Sequence, residues 1–369
     1  MTAAPIGKVD VCWAINGTQA HAAFTLMPGV TALIGPSGAG KTTLARILSG
    51  LKHSASGMIE LHGKTLLQTG VDTPVFEKAR NIGLVMQSPA LFPTMNVYEN
   101  IMLGGKTSPN ELDTLLEITG TASLLERMPA TLSGGEARRV AIVRAMAAKP
   151  GLLILDEPMN GLDPKRRREI MALVRSLAHS SGTPVLLITH QLEEMLFAAD
   201  HALLINGGQI VAAGTVENVL TTPETSSLLG IDDAGSLLTA TVSGREDHLL
   251  VTSIGGDTLY IADDGEPIGA MLRLRIMARD IALSPLHLDG ISVLNQLQGE
   301  ITAIEHTDRD AVIKLCLVKS GLTLQSRITK KSCTAMKLMA GNTLFCLIKA
   351  VAVKELISDP SGGTESSRI

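Results

Sequence analysis

The chain has 369 residues, a formal net charge of −4, 45% hydrophobic and 18% charged residues, and only five Phe, two Tyr and one Trp. That length exceeds one small core and predicts two or three domains. The acidic balance removes a global attraction to phosphate backbones and the scarcity of rings removes base-stacking platforms, so no nucleic-acid partner is expected. Cys12, Cys316, Cys333 and Cys346 form no metal-ligand spacing and read as thiols of a reducing compartment. The opening MTAAPIGKVD lacks an apolar signal core, and no window approaches the roughly 18 apolar residues a membrane span needs. The chain reads as cytosolic, so any service to a membrane would be peripheral.

In chain order, Val30–Ile34 is an apolar run leading into a glycine loop, after which Leu44, Ile47, Leu48 and Leu51 recur at helical spacing. Leu152–Leu155 and Val185–Ile188 are continuous apolar runs, as expected of strands buried on both faces of a parallel sheet. Between them Ile170, Leu173, Val174 and Leu177 mark an amphipathic helix. Residues 1–230 therefore read as an α/β domain. The stretch TTPETSSLLGIDDAGS (221–236) is rich in turn residues and marks a boundary. Beyond it, LLVTSIGG, DTLYIA, MLRLRIMA and AVIKLCLV are short and β-prone, and LRLRI (272–276) alternates with period two. A small all-β domain is expected over 235–355, with a disordered tail at 356–369.

The glycine loop, Gly35, Pro36, Ser37, Gly38, Ala39, Gly40, Lys41, Thr42 and Thr43, fits G-x-x-x-x-G-K-[ST] between a strand and a helix. Glycine lets backbone N–H groups face a β-phosphate, Lys41 reaches the β- and γ-phosphates, and Thr42 offers a hydroxyl to Mg²⁺. The strand LLIL ends in Asp156, placed for the Mg²⁺ shell, and Glu157, placed to polarise an attacking water. Gln87 follows an apolar run and could reach Mg²⁺ or water at the γ-phosphate, while His190 lies just beyond a buried strand, where ligands gather in open α/β sheets. LSGGE, Leu132–Glu136, is a second anion cradle without a lysine.

Together GPSGAGKT, Gln87, LSGGE, LILDEP, NGLD (160–163) and His190 resemble the ATP-binding cassette (ABC) ATPases over about residues 1–230. The resemblance implies a P-loop NTPase cassette with a helical subdomain, binding ATP and Mg²⁺, in which two cassettes meet head to tail as a homodimer. Each LSGGE would cap the ATP on the other's phosphate loop. Ser133 and Gly135 would then touch the γ-phosphate across the interface, and Asp163 would couple the two sites. Glu136 stands where many members have glutamine, Ala137 where many have arginine, and NGLD replaces the commoner S-A-L-D. Trp13 either stacks on adenine, as an aromatic does in many cassettes, or is a plain core residue. The stretch Ser88–Ile101 resembles the part of importer cassettes where permease subunits dock, with Leu91, Phe92 and Val97 as apolar contacts.

In the C-terminal half, SVLNQLQGEITAIE (292–305), LQSRITKKS (324–332) and FCLIKAVAV (345–353) resemble a Mop module, a small molybdate-binding, OB-like β unit, over about 290–355. GAMLRLRIMARDIALSP (269–285) resembles the segment before it in molybdate-importer ATPases. The whole resembles the ATPase subunit of a molybdate ABC importer, which implies permease subunits, a molybdate-binding protein and a place at the cytoplasmic face of a bacterial inner membrane. Sulfate or tungstate import, or an oxyanion-sensing switch, are the competing readings. A tetrahedral dianion could be held by Ser292, Arg327, Thr329, Lys330, Ser332 and Lys349, although IKAV stands where many Mop proteins read I-K-A-S. The alternative is a β domain that only stabilises the ATPase dimer.

Overall fold

The computed structural model describes residues 4–359 except 16, 71–79, 221, 223–224, 226–227, 229–234, 264 and 308. The chain forms two compact units, Met1–Gly230 and Ile231–Ile369. Most of the boundary stretch and positions 360–369 of the expected tail lie outside the described residues.

The first unit is built on ten strands: β1 (Gly7–Ile15), β2 (Thr18–Leu26), β3 (Val30–Ile34), β4 (Ala55–Leu61), β5 (Lys64–Gln68), β6 (Ile82–Val85), β7 (Leu152–Asp156), β8 (Val185–Thr189), β9 (His201–Asn206) and β10 (Gln209–Thr215). They lie in the order β5-β4-β1-β2-β10-β9-β3-β8-β7-β6. β9, β3, β8, β7 and β6 are parallel. All five residues of β3, β7 and β8 are buried, as their unbroken apolar runs require. The other half holds an antiparallel arm, β5-β4-β1-β2, in which β1 pairs with both β2 and β4, and β10 joins it to β9. Here Val9, Val11 and Trp13 alternate with more exposed residues, as do Ala20, Ala22, Phe24 and Leu26, so one face of the arm enters the core. The sheet is thus mixed rather than wholly parallel, and the period-two pattern before the glycine loop was its sequence signal.

The helices are α1 (Lys41–Ser49), α2 (Val97–Met102), α3 (Pro109–Thr119), α4 (Gly134–Ala147), α5 (Pro164–Ser181), α6 (Leu192–Ala198) and α7 (Val216–Leu220). Ile170, Leu173, Val174 and Leu177 of α5 all face the core. Leu51 does not complete the α1 stripe: Gly50, at φ 86°, ends the helix, and Leu51 is 53% exposed. α2, α3 and α4, between β6 and β7, make the helical subdomain. Asn96 and Ser108 open α2 and α3 with capping boxes to Glu99 and Glu111.

The second unit is all β apart from short helical turns. β11 (Ser236–Glu246), β12 (Leu249–Ile254), β13 (Asp257–Ala262), β14 (Met271–Ile276), β15 (Ile281–Ser284), β16 (Asn295–His306), β17 (Asp310–Leu317), β18 (Thr323–Thr329), the six-residue helix α8 (Lys330–Ala335), β19 (Thr343–Ile348) and β20 (Lys354–Asp359) follow in order. They form two five-stranded sheets, β13-β12-β11-β14-β20 and β15-β19-β16-β17-β18. Leu272, Leu274 and Ile276 are fully buried while Arg273 and Arg275 between them are half-buried, as the alternation predicts. One apolar cluster joins both sheets, from Leu238 and Leu274 to Ile313 and Ile348. Each such side chain removed from water contributes about 1.5–3 kcal/mol. Asn295 bridges the sheets by accepting from Tyr260 N–H at 2.7 Å and donating to Tyr260 C=O at 2.9 Å. The second sheet curls so that Ser326 Oγ of β18 donates to Ile281 C=O of β15 at 2.6 Å. β20 returns to the first sheet, so residues 356–359, expected as the start of the tail, are strand.

Candidate nucleotide site

The phosphate loop leaves β3 where no side chain fits. A Cβ on Gly35 would lie 2.1 Å from the Ile205 carbonyl oxygen. Gly38 and Gly40 take φ 81° and 102°, which L side chains resist. Gly40 caps α1 without a side chain, leaving the first N–H groups of the helix available to an anion. Lys41 is 6% exposed, and its Nζ donates to Gly35 C=O at 2.8 Å and Pro36 C=O at 2.9 Å. Burial pushes its ammonium below the ordinary lysine range, and Glu157 and Asp156 push it back. Ser37 and Gly38 are exposed, Pro36 and Thr43 half-buried and Ala39 buried.

Thr42 is exposed, and its Oγ1 donates to Asp156 Oδ1 at 3.2 Å. Asp156 closes the buried strand β7 and is itself only 6% exposed; desolvation raises its carboxyl, opposed by the Thr42 bond. A desolvated carboxylate paired with a neutral hydroxyl is a hard-oxygen donor set suited to Mg²⁺. Glu157, the next residue, sits at φ 48°, a left-handed conformation that costs a side-chain-bearing residue about 1–3 kcal/mol. Its N–H donates to Ile188 C=O of β8 at 3.0 Å, which holds the turn. The twist aims the carboxylate at two donors: Oε1 lies 3.1 Å from His190 Nδ1 and Oε2 3.2 Å from Asn160 Nδ2. Beyond β8, Gln191 N–H donates to Thr189 Oγ1, which donates to the buried Glu194, and Arg167 donates to the Gln191 side chain. The turn carrying His190 is thereby fixed on both sides.

The second cradle opens α4. Ser133 is its N-cap, and Glu136 closes a capping box, accepting from Ser133 N–H at 2.7 Å. That backbone bond, with Arg127 3.0 Å away, holds the Glu136 carboxyl below the usual carboxylate range. Glutamate in place of glutamine therefore keeps the turn. Ser133, Gly135 and Glu136 line a small open cavity of about 180 Å³ together with Arg139, Arg166 and Glu169. Asp163 caps α5, accepting from Arg166 N–H at 3.0 Å. Among the described residues, no hydrogen bond or ion pair joins Ser133, Gly135 or Asp163 to the phosphate loop of the same chain.

Gln87 lies two residues beyond β6 and is exposed; its main-chain carbonyl accepts from Arg138 of α4. Trp13 lies beside the phosphate loop. It is 3% exposed and packed in the core beneath the loop, where a Cβ on Gly40 would meet its Cζ2 at 3.4 Å. The same indole lines an open cavity of about 540 Å³ with Cys12, Gly17, His53 and Ser54. In the stretch resembling a docking site, Phe92 and Tyr98 are 47% and 45% exposed and Leu91 is half-buried, but Val97 is fully buried and is not a docking contact. Asn100, fully buried, bonds Phe92 N–H and the carbonyls of Phe92, Met95 and Asn96 and so shapes that loop. Asn100, Arg138, Asn160, Arg167 and Glu194 carry site geometry that the sequence reading passed over. Asn160, inside NGLD, and Asn100, inside Ser88–Ile101, lay within recognised stretches without a role of their own.

The oxyanion candidates of the second unit lie on the loop before β16, on β18, at the start of α8 and just after β19. Thr329 caps α8, accepting from Ser332 N–H, and the two hydroxyls are 2.9 Å apart. Lys330 is exposed and Arg327 half-buried. Thr329 pairs with Asp310, and the adjoining pair Ala311–His306 ends β16. Lys349 follows Ile348, which pairs with Asn295 at the start of β16, close in sequence to the exposed Ser292. Through the curl of the sheet, Ile348 also pairs with Ile281, whose carbonyl accepts from Ser326 of β18.

Family models match at residues 21–160, as ABC transporter, and at 291–354, as TOBE domain. Curated relatives include the molybdenum import ATP-binding protein ModC of Methylococcus capsulatus, 35% identical over 89% of this chain and 93% of its own, and that of Albidiferax ferrireducens, 37% identical over 88% and 89%. Among solved structures, the first unit resembles cbiO1 of Clostridium perfringens, part of an ABC transporter complex (TM-score 0.53, 28% identity, 60% of this chain and 93% of that one). It also resembles MJ1267, an ABC transporter cassette in its ADP conformation (TM-score 0.52, 25% identity, 62% and 100%). With its cassette geometry, its TOBE-type β unit and relatives matched over nearly their whole length, the chain belongs to the ABC transporter ATPases, in the family of the molybdenum import ATP-binding proteins.

Proposed function

We propose that the chain is the ATPase subunit of a molybdate importer, hydrolysing ATP to drive uptake through permease subunits at the inner face of the cell membrane. The observation that supports it best is the convergence of Lys41, Thr42, Asp156, Glu157 and His190 at the ends of adjacent buried strands, on a chain whose relatives are molybdenum import ATPases. Lys41 and the α1 N-terminus hold the β- and γ-phosphates. Thr42 and Asp156, with Gln87, would hold Mg²⁺, which when bound neutralises charge on the phosphate oxygens. Glu157 accepts the proton of the attacking water, and the Glu157–His190 bond orients the carboxylate. His190 itself would also contact the γ-phosphate.

Ser133 and Gly135 complete the site on a second copy of the chain, so ATP closes the dimer and hydrolysis opens it, with Asp163 between the two sites. The exposed Phe92 and Tyr98 offer the permease an apolar contact. Among the described residues no helix is long and apolar enough to cross a membrane, which fits a peripheral subunit joined to a molybdate-binding protein only through the permease. For the second unit, mutual capping of Thr329 and Ser332 favours a structural part over a molybdate site. The test is ATP-dependent dimerisation by gel filtration on a Glu157→Gln background. A dimer with ATP that Ser133→Arg abolishes supports the cross-subunit site, and a dimer that survives Ser133→Arg refutes it.

A further inference from the structure

Arg138 is buried to 6% exposure, yet among the described residues it forms no ion pair with a carboxylate. Its Nε is buried without a partner. Burial holds its guanidinium below the ordinary arginine range, though still cationic at neutral pH. Its hydrogen bonds go to main-chain carbonyls: Gln87 C=O at 2.5 Å and, more weakly, Met86 C=O at 3.5 Å. A buried cation satisfied only by carbonyls resists any movement that removes them. Gln87 has no strand partner of its own there, because β6 ends at Val85. Six residues on, Arg144 of the same helix donates to Ala90 C=O at 2.9 Å and Pro89 C=O at 3.1 Å, and its guanidinium sits 6.0 Å over the Phe92 ring.

We propose that Arg138 is a positioning residue for hydrolysis: from the helix that Ser133 opens, it fixes the backbone of Gln87 and so sets where the Gln87 amide meets the metal or water at the γ-phosphate. The inference rests on the reading of Gln87 given above. Because one helix carries Ser133 at its cap, Arg138 on Gln87 and Arg144 on the Phe92 loop, a shift of α4 moves all three together.

The test is a double-mutant cycle on the purified full-length chain, with ATP turnover measured at saturating Mg·ATP and nucleotide affinity measured separately. Arg138→Gln should lower kcat about tenfold with KM for ATP within about twofold, and Arg138→Lys should recover part of the loss. Adding Arg138→Gln to Gln87→Ala should cost little beyond Gln87→Ala alone, since both remove one placement. Multiplicative losses, or a kcat that Arg138→Gln leaves unchanged, would overturn the role of Arg138. If Arg138→Gln does not bind nucleotide, the cycle is read with Arg138→Lys on the same criterion. Full activity in Gln87→Ala would instead remove the reading of Gln87, and this inference with it.

Discussion

Two stretches of the chain carry lysine, threonine and serine in patterns suited to oxyanions, and the fold treats them oppositely. In Gly35–Thr43 the backbone is shaped for a ligand: Gly38 and Gly40 are left-handed, α1 has no side-chain cap, and Lys41 is buried close enough to Asp156 and Glu157 for their charges to oppose its desolvation. In Arg327–Ser332 the hydroxyls spend themselves on each other and on the first turn of α8, while Lys330 points to solvent. A site is marked by polar groups that the chain leaves unsatisfied or holds at a cost. Residue type alone does not mark one.

The largest effect that could break this contrast belongs to Glu157→Gln. It removes the proton acceptor but keeps the side-chain shape, so ATP turnover should fall by about 10²–10⁴-fold while ATP still binds, as single-turnover and equilibrium-binding measurements would show. Lys41→Ala removes two charge-assisted contacts to phosphate, each worth about 1.5–3 kcal/mol, so nucleotide affinity and turnover should drop about a hundredfold or more. Unchanged turnover in that variant would remove the phosphate-loop assignment. Ser133→Ala also loses an N-cap, about 1 kcal/mol, yet should impair hydrolysis beyond its loss of melting temperature because the same residue meets the partner's nucleotide. At the other region, Thr329→Ala should cost about 1 kcal/mol of stability in urea and leave ATP turnover unchanged. A loss of molybdate binding by calorimetry in that variant would show that the two regions are less different than they look.

Much of the first region was legible because its chemistry is local. Gly35, Gly38, Gly40 and Lys41 lie within seven residues, and the runs of β3, β7 and β8 declare strands buried on both faces. What stayed open or escaped reading depends on partners distant in sequence. Trp13 is covered because β1 pairs with both β2 and β4 and turns its ring beneath Gly40. Val97 is buried because α2 packs against α4, and only the neighbouring Phe92 and Tyr98 remain on the surface. Arg138 reads as an ordinary basic residue of a helix until Gln87 is folded against it. The closure of the second sheet, Ser326 of β18 onto Ile281 of β15, likewise joins residues 45 apart in sequence.

The most direct test of the account is uptake. In cells lacking this gene, restored with wild type or with Glu157→Gln, cellular molybdenum and sulfate are followed at limiting molybdate. The account predicts that only the wild type restores molybdenum accumulation, with sulfate unaffected. Equal restoration by Glu157→Gln, or a sulfate defect with normal molybdenum, would contradict it.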